Sequence, residues 1–322
     1  MKALIVGVNG QDGSYLAELL LEKGYQVTGW VPAAAPVSYE NIAHLLTGNP
    51  VNPGLPIVMG DLSDQSSLMS TLEETRPDEI YNLASPSFPA GSWSAPVQSG
   101  DIAGLGVTRL LEAMRRITPK AHFYQASSSE IFGIPDRVPQ AEETPFQPRN
   151  PYGIAKLFAH WMVVRYRERY GLHASCGILY NHESPRRGLE FVTRKIANGA
   201  VRIKLGLQKE LRLGDLEARR DWGFAGDYVH AMWAMLQHEA DDYVIGTGEA
   251  HSVRQFCELA FSCLDLDYHD YIIQDPALMR PPETVQLVAD PSKARRQLGW
   301  QPSLSFKDLV RLMISTEYDN LK

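Results

Sequence analysis

The chain has 322 residues and a mass of 36.0 kDa, with 44% hydrophobic and 21% charged residues, a make-up that fits one large core or a core with a second lobe. Its net charge of -7 argues against a nucleic-acid binder, so an anionic ligand would need a local cluster of Arg and Lys. Cys176, Cys257 and Cys263 make neither a disulfide framework nor a zinc pattern and read as buried thiols, and with no leader and no run of about eighteen apolar residues the expectation is a cytoplasmic protein with no metal and no membrane partner.

Residues 3–6 are an apolar run that ends in Gly7-Val8-Asn9-Gly10-Gln11-Asp12-Gly13, and residues 14–22 carry helical apolar spacing at Leu16, Leu19 and Leu20. Strand, glycine loop and helix in that order let the backbone approach a pyrophosphate at a helix N-terminus. Gly7, Gly10, Gln11, Asp12 and Gly13 are therefore candidates for holding a dinucleotide. A second strand spans 25–31. It ends without the acidic residue that would bind a ribose hydroxyl or the basic one that would accept a 2′-phosphate. A third strand, 57–59, leads into Asp61-Leu62, and a fourth, 79–84, ends in Asn82-Leu83-Ala84 beside the expected crevice. Ser63 or Asp64 is placed to cap the helix that runs to about residue 75.

A long helix over 97–117 precedes the fifth strand, 122–126, and a sixth strand covers 172–179. Strands alternating with helices predict an α/β fold with a doubly wound parallel sheet, its ligands outside the carboxyl ends of the strands. Beyond residue 180 the alternation weakens. Helices are expected over 191–201, 222–237, from 251 to about 264, over 291–298 with Gly299 as the stop, and over 306–316, while 243–245 is a strand that returns to the main sheet. Residues 1–180, with return segments near 222–248, are read as the dinucleotide-binding domain and 181–322 as a smaller mixed α/β lobe. Arg194, Lys195, Arg212, Arg219 and Arg220 are a cationic group suited to phosphate, or equally to a solvated surface.

Two stretches carry the chemistry. Tyr152 and Lys156 are four apart at the start of a helix predicted over 152–170, so both emerge on one face. An ammonium near a phenol favours the phenolate and is expected to lower the Tyr152 pKa enough for it to take a hydroxyl proton. Ser127-Ser128-Ser129-Glu130 follows the fifth strand and adds hydroxyls and a carboxylate at the same crevice.

Together with Asn181-His182-Glu183-Ser184-Pro185, Glu190-Phe191-Val192-Thr193-Arg194-Lys195, Arg219-Arg220-Asp221-Trp222-Gly223 and Arg280-Pro281-Pro282-Glu283, these motifs make the chain resemble the extended short-chain dehydrogenase/reductase superfamily and, within it, the GDP-mannose 4,6-dehydratases. The resemblance runs nearly end to end. It implies a Rossmann-type sheet with a C-terminal substrate-binding lobe, an NADP cofactor and a homo-oligomer, dimer or tetramer. Ser128, Glu130, Tyr152 and Lys156 would be catalytic, and Asp61, Leu62, Leu83 and Ala84 would join the glycine loop at the cofactor. Ser87, Asn181, Val192, Lys195, Arg212, Arg220, Arg280 and Glu283 would face GDP-mannose or a related nucleotide-sugar.

The chain departs from that pattern in three places. Val31-Pro32-Ala33-Ala34-Ala35-Pro36 stands where the family has two arginines for the 2′-phosphate and the subunit contact, so NAD stays open beside NADP. Ser85-Pro86-Ser87-Phe88-Pro89-Ala90 replaces an Ala-Gln-Ser segment, and Ser128 replaces a threonine. A 4-keto-sugar reductase or epimerase, which has less need of Glu130, and a nucleotide-binding regulator without turnover are the competing expectations.

Overall fold

The computed structural model describes residues 1–33, 37–48, 54–279 and 286–322. Six strands come first: β1 (Lys2–Val6), β2 (Gln26–Pro32), β3 (Ile57–Gly60), β4 (Glu79–Asn82), β5 (His122–Ser128) and β6 (Ala174–Leu179). The chain then makes β7 (Asn181–Glu183), β8 (Leu211–Leu213) and β9 (Arg219–Phe224), returns as β10 (Asp242–Ile245), and ends with β11 (Ala250–Ser252) and β12 (Ile272–Gln274). The main sheet has the order β10-β6-β5-β4-β1-β2-β3 with every pair parallel. Strand order reverses between β1 and β4, which opens a crevice at their carboxyl ends.

Ala3, Leu4, Ile5 and Val6 are all buried, as a central parallel strand covered on both faces requires. Helices Gln11–Glu22 and Ala225–Gln237 pack together on one face, and Gln65–Thr75, Gly106–Ile117 and Pro151–Tyr170 cover the other. A separate core joins helices Val192–Lys204, Val253–Ser262 and Phe306–Leu321. The small sheets β11-β9-β7 and β12-β8 belong to this second region.

Several expectations change. The helix expected over 222–237 begins at Ala225, because Arg219–Phe224 is strand β9, paired with β7 and β11; its apolar residues alternate rather than following a helical period. The helix expected over 97–117 contains a π-helical turn, Asp101–Leu105. Cys263 is exposed, whereas Cys176 and Cys257 are buried as expected. Other boundaries agree to within a few residues: Asp64 accepts the Ser66 amide as a cap at 2.9 Å, and Gly299 ends its helix at φ +64°, a conformation open to glycine.

Asp221, on β9, ties the second region to the main sheet. It is 1% exposed and accepts the amides of Thr247 (2.8 Å), Gly248 (2.9 Å) and Ala289 (3.1 Å) and the Thr247 hydroxyl (2.7 Å). Burial pushes its carboxyl above the ordinary value, and these four donors hold it back. Asp221→Ala strands them all and is expected to cost about 3 kcal/mol of unfolding free energy or more; urea denaturation checks this, with Asp221→Asn, which keeps an acceptor, losing less.

Candidate active site

The carboxyl ends of β1, β4, β5 and β6 open onto a crevice of about 810 Å³, within the range of small-ligand sites. At its β1 end the glycine loop is built by steric need. Gly7 has φ +90°, and a Cβ there would lie 2.9 Å from the Ala84 amide nitrogen. A Cβ at Gly13 would fall on the Gly7 carbonyl, so this glycine lets the helix Gln11–Glu22 seat against the loop. Gly10 differs: a Cβ there would meet only the Gly7 carbonyl oxygen, at 3.4 Å. The helix also starts without a side-chain cap, leaving amides and an open face, which is the cradle a pyrophosphate needs. The dinucleotide expectation therefore fits the residues present.

Gly7, Gly10, Gln11, Asp12 and Gly13 line the crevice, as do Asp61 and Leu62 after β3 and Leu83 and Ala84 after β4. Asp61 accepts both the amide and the hydroxyl of Ser63 at 2.7 Å, and these bonds hold its carboxyl below the ordinary value.

The other end holds the acid-base groups. Asn150 caps the helix Pro151–Tyr170 by accepting the Gly153 amide at 2.7 Å, and its amide group donates to Glu130 Oε2 at 2.7 Å. A Cβ at Gly153 would lie 2.6 Å from the Glu130 carbonyl oxygen, so glycine is what lets helix and turn touch. Ser128, Glu130, Tyr152 and Lys156 consequently line one crevice with the glycine loop.

The Tyr152 shift runs opposite to the expectation. The Tyr152 phenol is buried and pushed up to about 12, burial outweighing the hydrogen bond to Ser128; the Glu130 charge raises it further and Arg187 opposes. Lys156 does not bring it down. Its Nζ lies 5.7 Å from the Tyr152 ring centre and donates to the Ala126 carbonyl at 2.8 Å. Burial pulls Lys156 itself down to about 8, with Asp12 opposing.

Sequence reasoning missed His182, Arg186, Arg187 and Phe191, which also line the crevice; their place just after β6, at a strand carboxyl end, was the signal available. His182 Nδ1 faces the Tyr180 carbonyl at 2.7 Å and Nε2 faces Asp12 Oδ2 at 2.8 Å. Both partners are acceptors, so the ring carries both protons. Burial pulls the imidazole down and pushes the Asp12 carboxyl up; the charge and hydrogen bond each lends the other reverse both shifts, leaving the imidazole raised and the carboxyl lowered.

Of the proposed substrate residues, Ser87 and Asn181 line the crevice, while Val192, Lys195, Arg212 and Arg220 lie outside that lining. Lys195 Nζ donates to the Arg212 carbonyl at 2.7 Å, and the Arg212 side chain, 56% exposed, pairs with Glu210 at 2.8 Å. Arg220 donates to the Arg219 carbonyl at 2.7 Å. Arg280 and Glu283 lie outside the described residues.

The buried ammonium gives a stability prediction. A lysine near 8 in the folded chain, against an ordinary 10.5 once unfolded, carries its full cost below about pH 8, and the cost fades as pH rises towards 10.5. Lys156→Met is thus expected to raise the unfolding free energy at pH 7 by about 1–3 kcal/mol, less at pH 10, while lowering turnover; denaturation at both pH values checks the sign.

A sequence model of the family described as GDP-mannose 4,6 dehydratase matches residues 4–313. The chain is 47% identical over 327 aligned positions to GDP-mannose 4,6 dehydratase 1 of Arabidopsis thaliana, covering 99% of this chain and 90% of that one. Among solved structures, the UDP-glucose 4-epimerase of Thermus thermophilus in complex with NAD is 26% identical with a TM-score of 0.85, covering 98% of this chain and 99% of that one. RMD of Pseudomonas aeruginosa, complexed with NADPH, is 25% identical with a TM-score of 0.81, covering 99% and 100%. The chain belongs to the GDP-mannose 4,6-dehydratase family.

Proposed function

We propose that this protein is a redox-neutral lyase that converts GDP-mannose to GDP-4-keto-6-deoxymannose. The observation that carries the reading is Glu130: its carboxylate lines the same crevice as Ser128, Tyr152 and Lys156 and is held there by Asn150. A reductase or epimerase needs the phenol, the hydroxyl and the ammonium but has little use for that carboxylate. Family membership supports the same choice.

Residues 1–180, with return segments near 222–248, are the proposed dinucleotide-binding domain, and the glycine loop, Asp61, Leu62, Leu83, Ala84, Tyr152 and Lys156 hold the cofactor. The nicotinamide that these residues would hold, when oxidised, would supply the site that stores the C4 hydride until it is needed at C6. Tyr152 takes the 4-hydroxyl proton while Ser128 binds the same oxygen. Because burial and the Glu130 charge leave the phenol near 12 with Lys156 already in place, Tyr152 would depend on the further positive charge that an oxidised nicotinamide would bring. The new ketone acidifies C5–H; Glu130 removes that proton and hands it to the departing 6-hydroxyl, which leaves as water. Reprotonation at C5, balanced by the proton that Tyr152 took from the 4-hydroxyl, completes the cycle with the cofactor back in its starting state.

NADP is the cofactor proposed by family resemblance. The lining also includes Asn9, Trp30, Pro32 and Asn41, amides and apolar groups that supply no cation for a 2′-phosphate, and this supports NAD beside it. In the lobe formed by residues 181–322, Ser87 from the facing loop and Asn181 meet the hexose. Val192, Lys195, Arg212, Arg220, Arg280 and Glu283 take the nucleotide, with Lys195 and Arg212 exchanging present partners for phosphate.

A homo-oligomer, dimer or tetramer, is also proposed. Ile154, Phe158 and Trp161 are 57%, 43% and 43% exposed at helical spacing on Pro151–Tyr170, and Val97 and Leu105 lie exposed on the neighbouring 96–105 segment. Apolar surface of this kind is usually covered by a partner.

Incubating the purified protein with GDP-mannose, first alone and then with NADP or NAD, is expected to yield a product lighter by one water in mass spectrometry. Glu130→Gln should lower that rate by roughly a hundredfold or more with cofactor affinity unchanged; an unaltered rate removes Glu130 from the mechanism. Phe158→Glu combined with Trp161→Glu should reduce the light-scattering mass of the wild-type assembly to that of a smaller species.

A further inference from the structure

Two aromatic rings join the walls of the crevice, and the proposed chemistry uses neither. One wall is the 85–90 segment, with Pro86, Ser87 and Pro89 on the lining; the other carries Arg187, Gly188, Glu190 and Phe191. Phe88 meets Phe191 edge to face, with ring centres 5.8 Å apart and planes at 80°. On Phe191 the Arg187 guanidinium carbon sits 3.6 Å from the ring centre, so this ring is held by both a cation and an aromatic edge. Prolines at 86 and 89 fix φ on both sides of Phe88. Pro89 opens the 3-10 turn Pro89–Trp93, which packs against the helix that carries Tyr152 and Lys156, and a Cβ at Gly91 would lie 3.1 Å from the Phe88 ring. The turn that Phe88 leads into is therefore seated on the helix that carries Tyr152 and Lys156, and the ring pair bridges from it to the segment that follows β7.

We propose that Phe88 and Phe191 form a clasp that retains the C4 ketone in the crevice until reduction at C6 is complete. The inference rests on the dehydratase reading, which creates the need for it. When the sugar has lost its C4 hydride and O4 proton it is two electrons more oxidised than the substrate. A sugar that escapes at that stage leaves the nicotinamide reduced, and no later step of the reaction takes those electrons back. Retention is thus required of the protein in every cycle. An edge-to-face ring contact suits the task, since it separates for entry and re-forms without moving the sheet or the catalytic helix. Phe88 acts through Phe191 and is a positioning residue.

The test uses protein loaded with oxidised cofactor, wild type beside Phe88→Ala, Phe88→Leu and Phe191→Leu, with product followed by mass spectrometry and reduced nicotinamide by its near-ultraviolet absorbance. Phe88→Ala is expected to start within about threefold of the wild-type rate and then slow over successive turnovers as reduced nicotinamide builds up towards the concentration of active sites. Added oxidised cofactor should restore it, and Phe88→Leu should fall between the two. Sustained turnover without build-up in Phe88→Ala, or a lower rate without build-up in the variants that fold, overturns the clasp. Wild-type protein that removes no water from GDP-mannose overturns the dehydratase reading instead, a failure visible before any variant is compared.

Discussion

The contact on which the active site depends is the meeting of the Pro151–Tyr170 N-terminus with the turn after β5. Asn150 serves both: its carbonyl oxygen caps the helix and its amide binds Glu130. Gly153 removes the side chain that would hold helix and turn apart. Because Tyr152 and Lys156 lie in the first two turns of this helix and Ser128 ends β5, one cap fixes the relative positions of a phenol, an ammonium, a hydroxyl and a carboxylate. Groups held in this way need no reorganisation when a ligand arrives.

Burial then sets their chemistry. A phenol near 12 and an ammonium near 8 are each shifted away from the charged form, as low dielectric requires. The protein groups by themselves are accordingly a poor base, and their reactivity is tied to the arrival of positive charge. The Asp12 carboxylate raises both groups, which opposes the Tyr152 phenolate but favours the Lys156 ammonium. His182 neutralises that carboxylate across a 2.8 Å contact, and the same pair fastens the glycine loop to β7. The two ends of the crevice are thereby held in one frame.

The second region is assembled on different terms. Its small sheets could not stand alone, and it is held by helices packed on their own core and by Asp221, which gathers amides from Thr247, Gly248 and Ala289. Around it the cations are largely engaged. Arg194 pairs with Glu317 at 2.7 Å and Arg186 with Glu18 at 2.6 Å. Arg187, 3.3 Å from Glu183, leans on Phe191 at the crevice, where Phe88 completes the contact between the walls.

Sequence alone determined the parallel sheet, the glycine loop, and the identity of Ser128, Glu130, Tyr152 and Lys156 as a set, because these follow from local patterns: apolar runs, turn residues and the four-residue period of a helix. Residues 243–245 were expected as a strand returning to the main sheet, and β10 does so by pairing with β6. Strand β9 was missed although Trp222 and Phe224 alternate, because two apolar residues are a weak signal and the strand is completed by β7 and β11 on either side. The direction of the Tyr152 shift was not legible either, for spacing places Lys156 on the same helix face but cannot show that Ala126 receives its proton donor or that burial exceeds its charge. Tertiary structure alone brought Asp12 to His182 and Phe88 to Phe191, residues far apart in the chain whose contact depends on where the strands end.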